Sequence, residues 1–245
     1  MKLLAALGGA SFILASLIVG FRLLALWRRT RGYPELFAAL ALLTVGPIAF
    51  ALFVPAVDLA ERSFALSRVL YMAASGASTF GSAAVANFTL SVFHTGRAAR
   101  NGAIAVTAAL ALSWLGIVAT DDLDLRRLPG VWRNANTFLQ IAIFLWGSLE
   151  SAAFWRMMRR RARLGLADAL VTHRFALWAL ALGIGSANLS ASYVGLVLRQ
   201  MADGTVELAI GVGGVLVAVC LTLAFLPPRA YRAFIERRAA ERART

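Results

Sequence analysis

Apolar residues gather in seven long runs along the chain, separated by short stretches that hold most of the charge. The runs cover residues 3–26, 36–57, 69–93, 102–119, 132–155, 175–198 and 207–227, numbered here as spans 1 to 7. Each is close to the roughly 20 residues that a helix, rising 1.5 Å per residue, needs to cross a hydrocarbon core of about 30 Å. Lipid offers the backbone no hydrogen-bond partners, so such runs must be helices or a closed barrel. They lack the alternation of a barrel strand. The pattern predicts an all-α integral membrane protein: a seven-transmembrane-helix bundle over residues 1–227, then a basic tail at 228–245.

The punctuation agrees. Pro34 and Glu35 sit where span 2 begins, a proline in a first turn and an acid near the positive helix end. Leu128, Pro129 and Gly130 precede span 5, and Pro227 and Pro228 stop span 7. Pro47 and Pro55 fall inside span 2 and predict a kink or an early end. Trp27, Tyr33, Trp132 and Trp155 flank the runs as interfacial aromatics do. Span 1 is too long for a signal peptide, and Arg28, Arg29 and Arg31 follow it directly, which marks it as an uncleaved first helix. No internal repeat stands out, and an odd number of spans argues against two equal halves.

Charge sets the expected orientation. Segments 27–35, 94–101, 156–174 and 228–245 carry 17 basic residues, against 7 in the segments of the other side, Arg199 among them. Basic residues collect on the cytoplasmic side. The N-terminus is therefore expected outside and the C-terminus inside, in a multi-pass protein of the cell membrane, read as a bacterial inner membrane. Only 15% of the 245 residues are charged, against roughly 25% in a soluble domain. The net charge of +13 does not imply nucleic acid, because the arginines cap helix ends rather than line one face. Arginine outnumbers lysine 24 to 1, which reads as genome composition. The loop from Arg156 to Arg163 and the tail from Arg229 to Arg244 read as short surface helices held by anionic lipid headgroups. Docking of a cytoplasmic protein is the alternative.

Function in a membrane protein is best sought where polarity is costly. In span 3, Ser75, Ser78, Thr79, Ser82 and Thr89 fall within an arc of about 100°. In span 5, Asn136, Gln140, Gly147, Glu150 and Ser151 share a similar arc. In span 6, Gly183, Ser186, Ser190 and Tyr193 line one side, with Asn188 and Ser192 opposite. Small and hydroxyl residues also serve plain helix packing. Asn, Gln and Glu are too large for packing notches, so the span 5 stripe points to a polar-lined cavity among spans 3, 5 and 6. The candidate ligand-binding residues are Glu150, Gln140, Asn136, Thr79, Ser82, Ser186, Ser190 and Tyr193. A carboxylate at the depth of Glu150 needs a partner. Arg22 lies at similar depth in span 1, so a structural ion pair of Arg22 with Glu150 is expected, both facing the bundle interior. The alternative has Arg22 snorkelling to phosphates and Glu150 bonded to Ser or Asn neighbours.

Other chemistry is sparse. His94 and His173 carry no ligand spacing and read as interface residues facing headgroups, although with Glu150 they offer the elements of a metal site or pH sensor. Gly211, Gly213 and Gly214 permit close packing or a bend in span 7. Cys220 is a buried small hydrophobe with no intrachain partner. No Ser–His–Asp, paired-carboxylate or HExxH arrangement appears, so no catalytic residue and no metal set is assigned. The span count and orientation match microbial rhodopsins and seven-helix receptors, in architecture alone. Retinal needs a lysine in span 7, and Lys2 is the only lysine, so no cofactor is assigned. The expected function is a sensor or receptor-like protein binding a small or lipid-like ligand among spans 3, 5 and 6. A transporter or channel using Glu150 and the polar stripes is the second reading, and a membrane enzyme or assembly subunit the third.

Overall fold

The structure, a computed structural model, describes residues 2–94, 96–198 and 204–243. Arg199 and Arg244, both among the flanking charges, lie outside the described residues. Seven helices are long and apolar enough to cross a membrane, and no strand occurs among the described residues. In chain order the elements are α1 (Lys2–Thr30), α2 (Tyr33–Leu43), a π-helical segment (Thr44–Phe50), α3 (Ala51–Asp58), α4 (Phe64–Phe93), α5 (Arg97–Ala119), α6 (Val131–Arg163), α7 (Ala169–Val197), α8 (Thr205–Phe225) and α9 (Arg229–Ala243). Span 2 comprises α2, the π segment and α3; α9 is the basic tail.

The two prolines of span 2 act differently from a simple stop. Proline removes an amide donor and pushes on the carbonyl four residues back. The chain answers at Pro47 by widening into π turns, then resumes as α3 with Pro55 inside it. The Thr44 hydroxyl donates to the Leu40 carbonyl at 2.7 Å where the widening begins. Loop 156–174 also differs from a separate surface helix. Its first half continues α6 unbroken to Arg163, and the Asp168 carboxylate caps α7 by accepting from the Val171 amide at 2.9 Å. The tail does form a helix. It packs on α6 and α7 and buries Ile235, while Arg238 stands over Phe234.

Helix neighbours follow a ring: α1 beside α2, α2 and α3 beside α4, α4 beside α6, α6 beside α7, α7 beside α8, and α8 back against α1. α5 stands outside, in the groove between α4 and α6. Its Gly116 lies directly under the Trp132 ring, and the Trp114 indole donates to the Ser75 hydroxyl at 3.2 Å. The loops of the bundle define two ends. One carries Arg28, Arg29, Arg97, Arg100 and the basic stretches of α6 and α9 and is called the arginine-rich face. The other carries segments 59–63 and 120–130 and is called the lid face.

The ring closes through backbone contact. A Cβ on Gly8 would stand 2.0 Å from the Gly211 carbonyl oxygen, and one on Gly214 would stand 2.7 Å from that of Gly8. Close approach of this kind is what small residues provide where helices gain nothing from hydrophobic sorting. Gly8→Leu is therefore expected to abolish the folded, monodisperse peak in detergent size-exclusion chromatography. Gly102→Ala, whose new methyl would meet only Leu90 at 3.9 Å, should leave that peak intact.

Candidate functional site

The six-helix ring does not pack shut. It leaves an elongated cavity of about 690 Å³ that runs from the lid-face residues Glu61 and Leu125 down to Val85 and Leu221. One wall, from α1, α2, the π segment and α3, is apolar: Phe12, Leu42, Val45, Phe50 and Phe53. The opposite wall, from α4, α6 and α7, carries Ser78, Asn136, Gln140, Asn188 and Tyr193. Toward the arginine-rich face the cavity narrows onto Val85, Phe144, Trp178 and Leu221. Trp178 is nearly buried and sits edge-on to Phe88 and Phe225, with ring centroids at 5.2 and 5.8 Å.

The polar wall is held by a side-chain network that spans three helices. The Gln140 carbonyl oxygen accepts from Ser78 at 2.6 Å and Ser82 at 3.2 Å, and its amide donates to the Asn136 carbonyl oxygen at 2.5 Å. The Asn136 amide donates to Thr79 at 3.1 Å and to Ser113 of α5 at 2.9 Å. These groups lie four residues apart on α6 and three or four apart on α4, the spacing that stacks side chains on one helix face.

Of the eight candidate ligand residues, the structure brings three to the cavity: Asn136, Gln140 and Tyr193. Thr79 and Ser82 stand behind them as hydrogen-bond partners. Ser186 and Ser190 face elsewhere and bond backbone carbonyls, Ser186 to Ile141 at 3.1 Å and Ser190 to Ser186 at 2.9 Å. The α7 residues that reach the cavity include Asn188 and Ser192 from the other arc. Tyr193 bridges back to α6 by donating to the Asn134 carbonyl oxygen at 2.9 Å.

Glu150 lies outside the cavity, toward the arginine-rich face. It is bonded neither to Arg22 nor to Ser or Asn. Its Oε1 is 3.1 Å from His94 Nε2 and accepts from the Trp146 indole at 3.1 Å. The His94 ring stacks on Trp146. The expected Arg22–Glu150 pair is therefore not formed. α1 runs against α2 and α8, not α6, and the turn of α1 that buries Leu23 leaves Arg22 exposed on its outer side. His94 is likewise no simple headgroup contact, because it ties the end of α4 to α6. Among the described residues no three His, Cys, Asp or Glu side chains meet as a metal set.

The lid face holds the part that the sequence reading left out. Arg133, in the first turn of α6, is 2% exposed. Its guanidinium donates to the Asp124 carbonyl at 3.0 Å and the Arg127 carbonyl at 2.8 Å, and its Nε lies 3.4 Å from Asp122. Those bonds fold 120–130 back over the ring. The Asp124 carboxylate accepts from the Arg126 amide at 3.0 Å and from the Arg126 guanidinium at 3.0 and 3.1 Å, with Arg127 at 3.3 Å. Leu123 beneath them packs with Ala56, Tyr71 and Ile117. The available signal was an arginine at an apolar helix start following three aspartates, Asp121, Asp122 and Asp124.

Known proteins offer no guide to this arrangement. No protein-family model, no curated protein and no solved structure matches the chain. The site is read from its own geometry.

Two outcomes follow for the lid and the wall. The Arg126 guanidinium bonded to Asp124 holds that carboxyl below the usual aspartate value, with burial opposing. The bridge's stability is thus complete above the ordinary value of about 3.9 and is lost as pH falls through the depressed one. Asp124→Asn should cost about 1–2 kcal/mol, discounted for the exposure of both arginines. Hydrogen exchange in 123–128 should rise in that variant at neutral pH and match wild type only in strong acid. In the wall, Gln140→Ala should cost about 1–2 kcal/mol in reversible unfolding, since bonds between membrane helices average about 0.6 kcal/mol and three are lost.

Proposed function

We propose that the protein is a seven-helix membrane sensor, receptor-like in design, that holds a small or lipid-like molecule in its central cavity and reports occupancy on its arginine-rich face. The observation that carries this is the cavity itself. It pairs an apolar wall with a wall of amides and hydroxyls. Apolar surface with a few convergent polar groups is what a small-molecule site presents. The cavity's volume falls in the range of about 300–1,000 Å³ that holds one drug-sized ligand. An occupant is the physically economical reading.

A relay to the arginine-rich face is available. Trp178 lines the narrow end of the cavity and touches Phe225, the last residue of α8, four residues before α9 begins. α9 rests on α6 and α7, which supply much of the polar wall. Positive-inside charge supports placing this face in the cytoplasm of a cell with a single bounding or inner membrane. There the arginines of α6 and α9 would meet anionic headgroups or a protein partner. A transport path gains less support. Asn136 and Gln140 of its polar stripes line the cavity, but Glu150, the one acid it would use, does not.

Two experiments test the reading. Native mass spectrometry of protein in mild detergent should show a bound adduct that organic extraction releases. Ala181→Phe, which places a ring in the cavity, should lower its occupancy at least about tenfold, a change of about 1.4 kcal/mol. Trypsin cleavage in α9 should differ between loaded and extracted protein, and equal rates would sink the sensor reading. For orientation, Ala230→Cys and Leu166→Cys should be labelled from the cytoplasmic side and Asp121→Cys from the other. Native Cys220 is buried and gives little background.

A further inference from the structure

We infer that the occupant is a single-chain amphiphile with an uncharged head group bearing hydroxyl or carbonyl oxygens. The head lies level with Gln140 and Asn188, and the chain points at Trp178. This rests on the ligand-cavity reading above and narrows it to a class.

Shape is the first argument. Between Tyr71 and Val85, both in the lining, α4 rises about 21 Å, roughly two-thirds of the hydrocarbon core. A volume of 690 Å³ drawn out over that length has a mean cross-section on the order of 30 Å². That suits one extended chain and not a two-tailed lipid.

The order of polarity along the cavity is the second. Apolar side chains line the deep end, Val85, Phe144, Leu182 and Leu221, beside Trp178, whose buried indole N–H is unpaired. One to two helical turns nearer the lid face come Ser78, Gln140 and Asn188, whose amide lies over Gly213. An apolar tail is matched at depth, and hydrogen-bonding oxygens are matched above it.

Charge is the third. Three arginines reach the mouth, Arg126, Arg127 and Arg133, together with Glu61. Each already stands beside a carboxylate: Asp124 is shared by Arg126 and the exposed Arg127, Glu61 also acts on Arg126, and Asp122 lies by Arg133, whose Nε forms no hydrogen bond. A carboxylate or phosphate head would compete with these acids. A cationic head would compete with a guanidinium for the same acids. Deeper in, level with Gln140 and Asn188, no charged side chain lines the cavity, so a net charge carried there would be desolvated without a partner. An uncharged head avoids the cost and still meets the amides.

The test uses the full chain in detergent with two probes: a monoacylglycerol brominated in mid-chain, and the free fatty acid of the same chain, fully ionised. Bromine quenches indole at short range, and the difference between wild type and Trp178→Phe isolates Trp178 from the five other tryptophans. The monoacylglycerol should quench Trp178 saturably, at a concentration at least about tenfold below that of the fatty acid. Ala181→Phe should abolish the quenching, and Gln140→Leu should weaken it at least about tenfold. Equal or tighter binding of the fatty acid overturns the uncharged head while leaving the cavity reading intact. No saturable quenching by either probe overturns the single-chain class. If the purified wild type also carries no extractable adduct, or if quenching survives Ala181→Phe, the cavity reading fails with it.

Discussion

The architecture turns on one contact, the place where α1 meets α8 with backbone against backbone at Gly8, Gly211 and Gly214. In lipid, helices gain nothing from burying apolar surface against one another, so association depends on close packing and on polar bonds. The first and last spans use close packing. Without it the six helices would form an open arc, and the space among them would belong to lipid. With it they form a ring around the cavity, which extends to the loops of the lid face. Everything said about a ligand depends on that closure.

The two walls of the ring are built by different means. The α4–α6–α7 wall is stitched by hydrogen bonds at several heights. Gln140 and Asn136 hold α4 near mid-membrane, Tyr193 holds α7 to α6 above, and His94 with Glu150 ties α4 to α6 at the arginine-rich end. The α1–α2 wall instead packs through small residues, with Gly20 under Leu43 and Gly46 against Ser16.

The sequence made the spans legible because length and hydropathy depend on no partner. It also exposed the glycines of span 7 and the amides of span 5, since both are costly unless they have a task. Faces were less legible. In α7 the serines form one polar arc and Asn188 with Ser192 form another. Only the fold decides which arc meets the cavity, because a serine can satisfy itself on its own helix carbonyls and Asn cannot do so as completely. Arg22 was misplaced for a related reason. An arginine near the end of an apolar helix reaches the interface along its stem, so burial is not required of it. Arg133 was overlooked because its partners are mostly backbone carbonyls, which leave no mark in a sequence.

The π segment is the remaining structural oddity, and its position gives it meaning. π turns interrupt helices where function needs an altered backbone. This one occupies residues 44–50, and Val45, Ala49 and Phe50 within it face the cavity. Across the void stands the hydrogen-bonded wall. A molecule entering between the two meets one side that is tied at three levels and another that is widened, proline-bearing and packed through small residues. Displacement would therefore be taken up on the α2 side, while α6 and α7, on which α9 rests, hold their mutual spacing. A sensor built this way would transmit occupancy less by prying α6 from α7 than by shifting the Trp178–Phe225 contact at the base of the cavity, where α8 turns into α9.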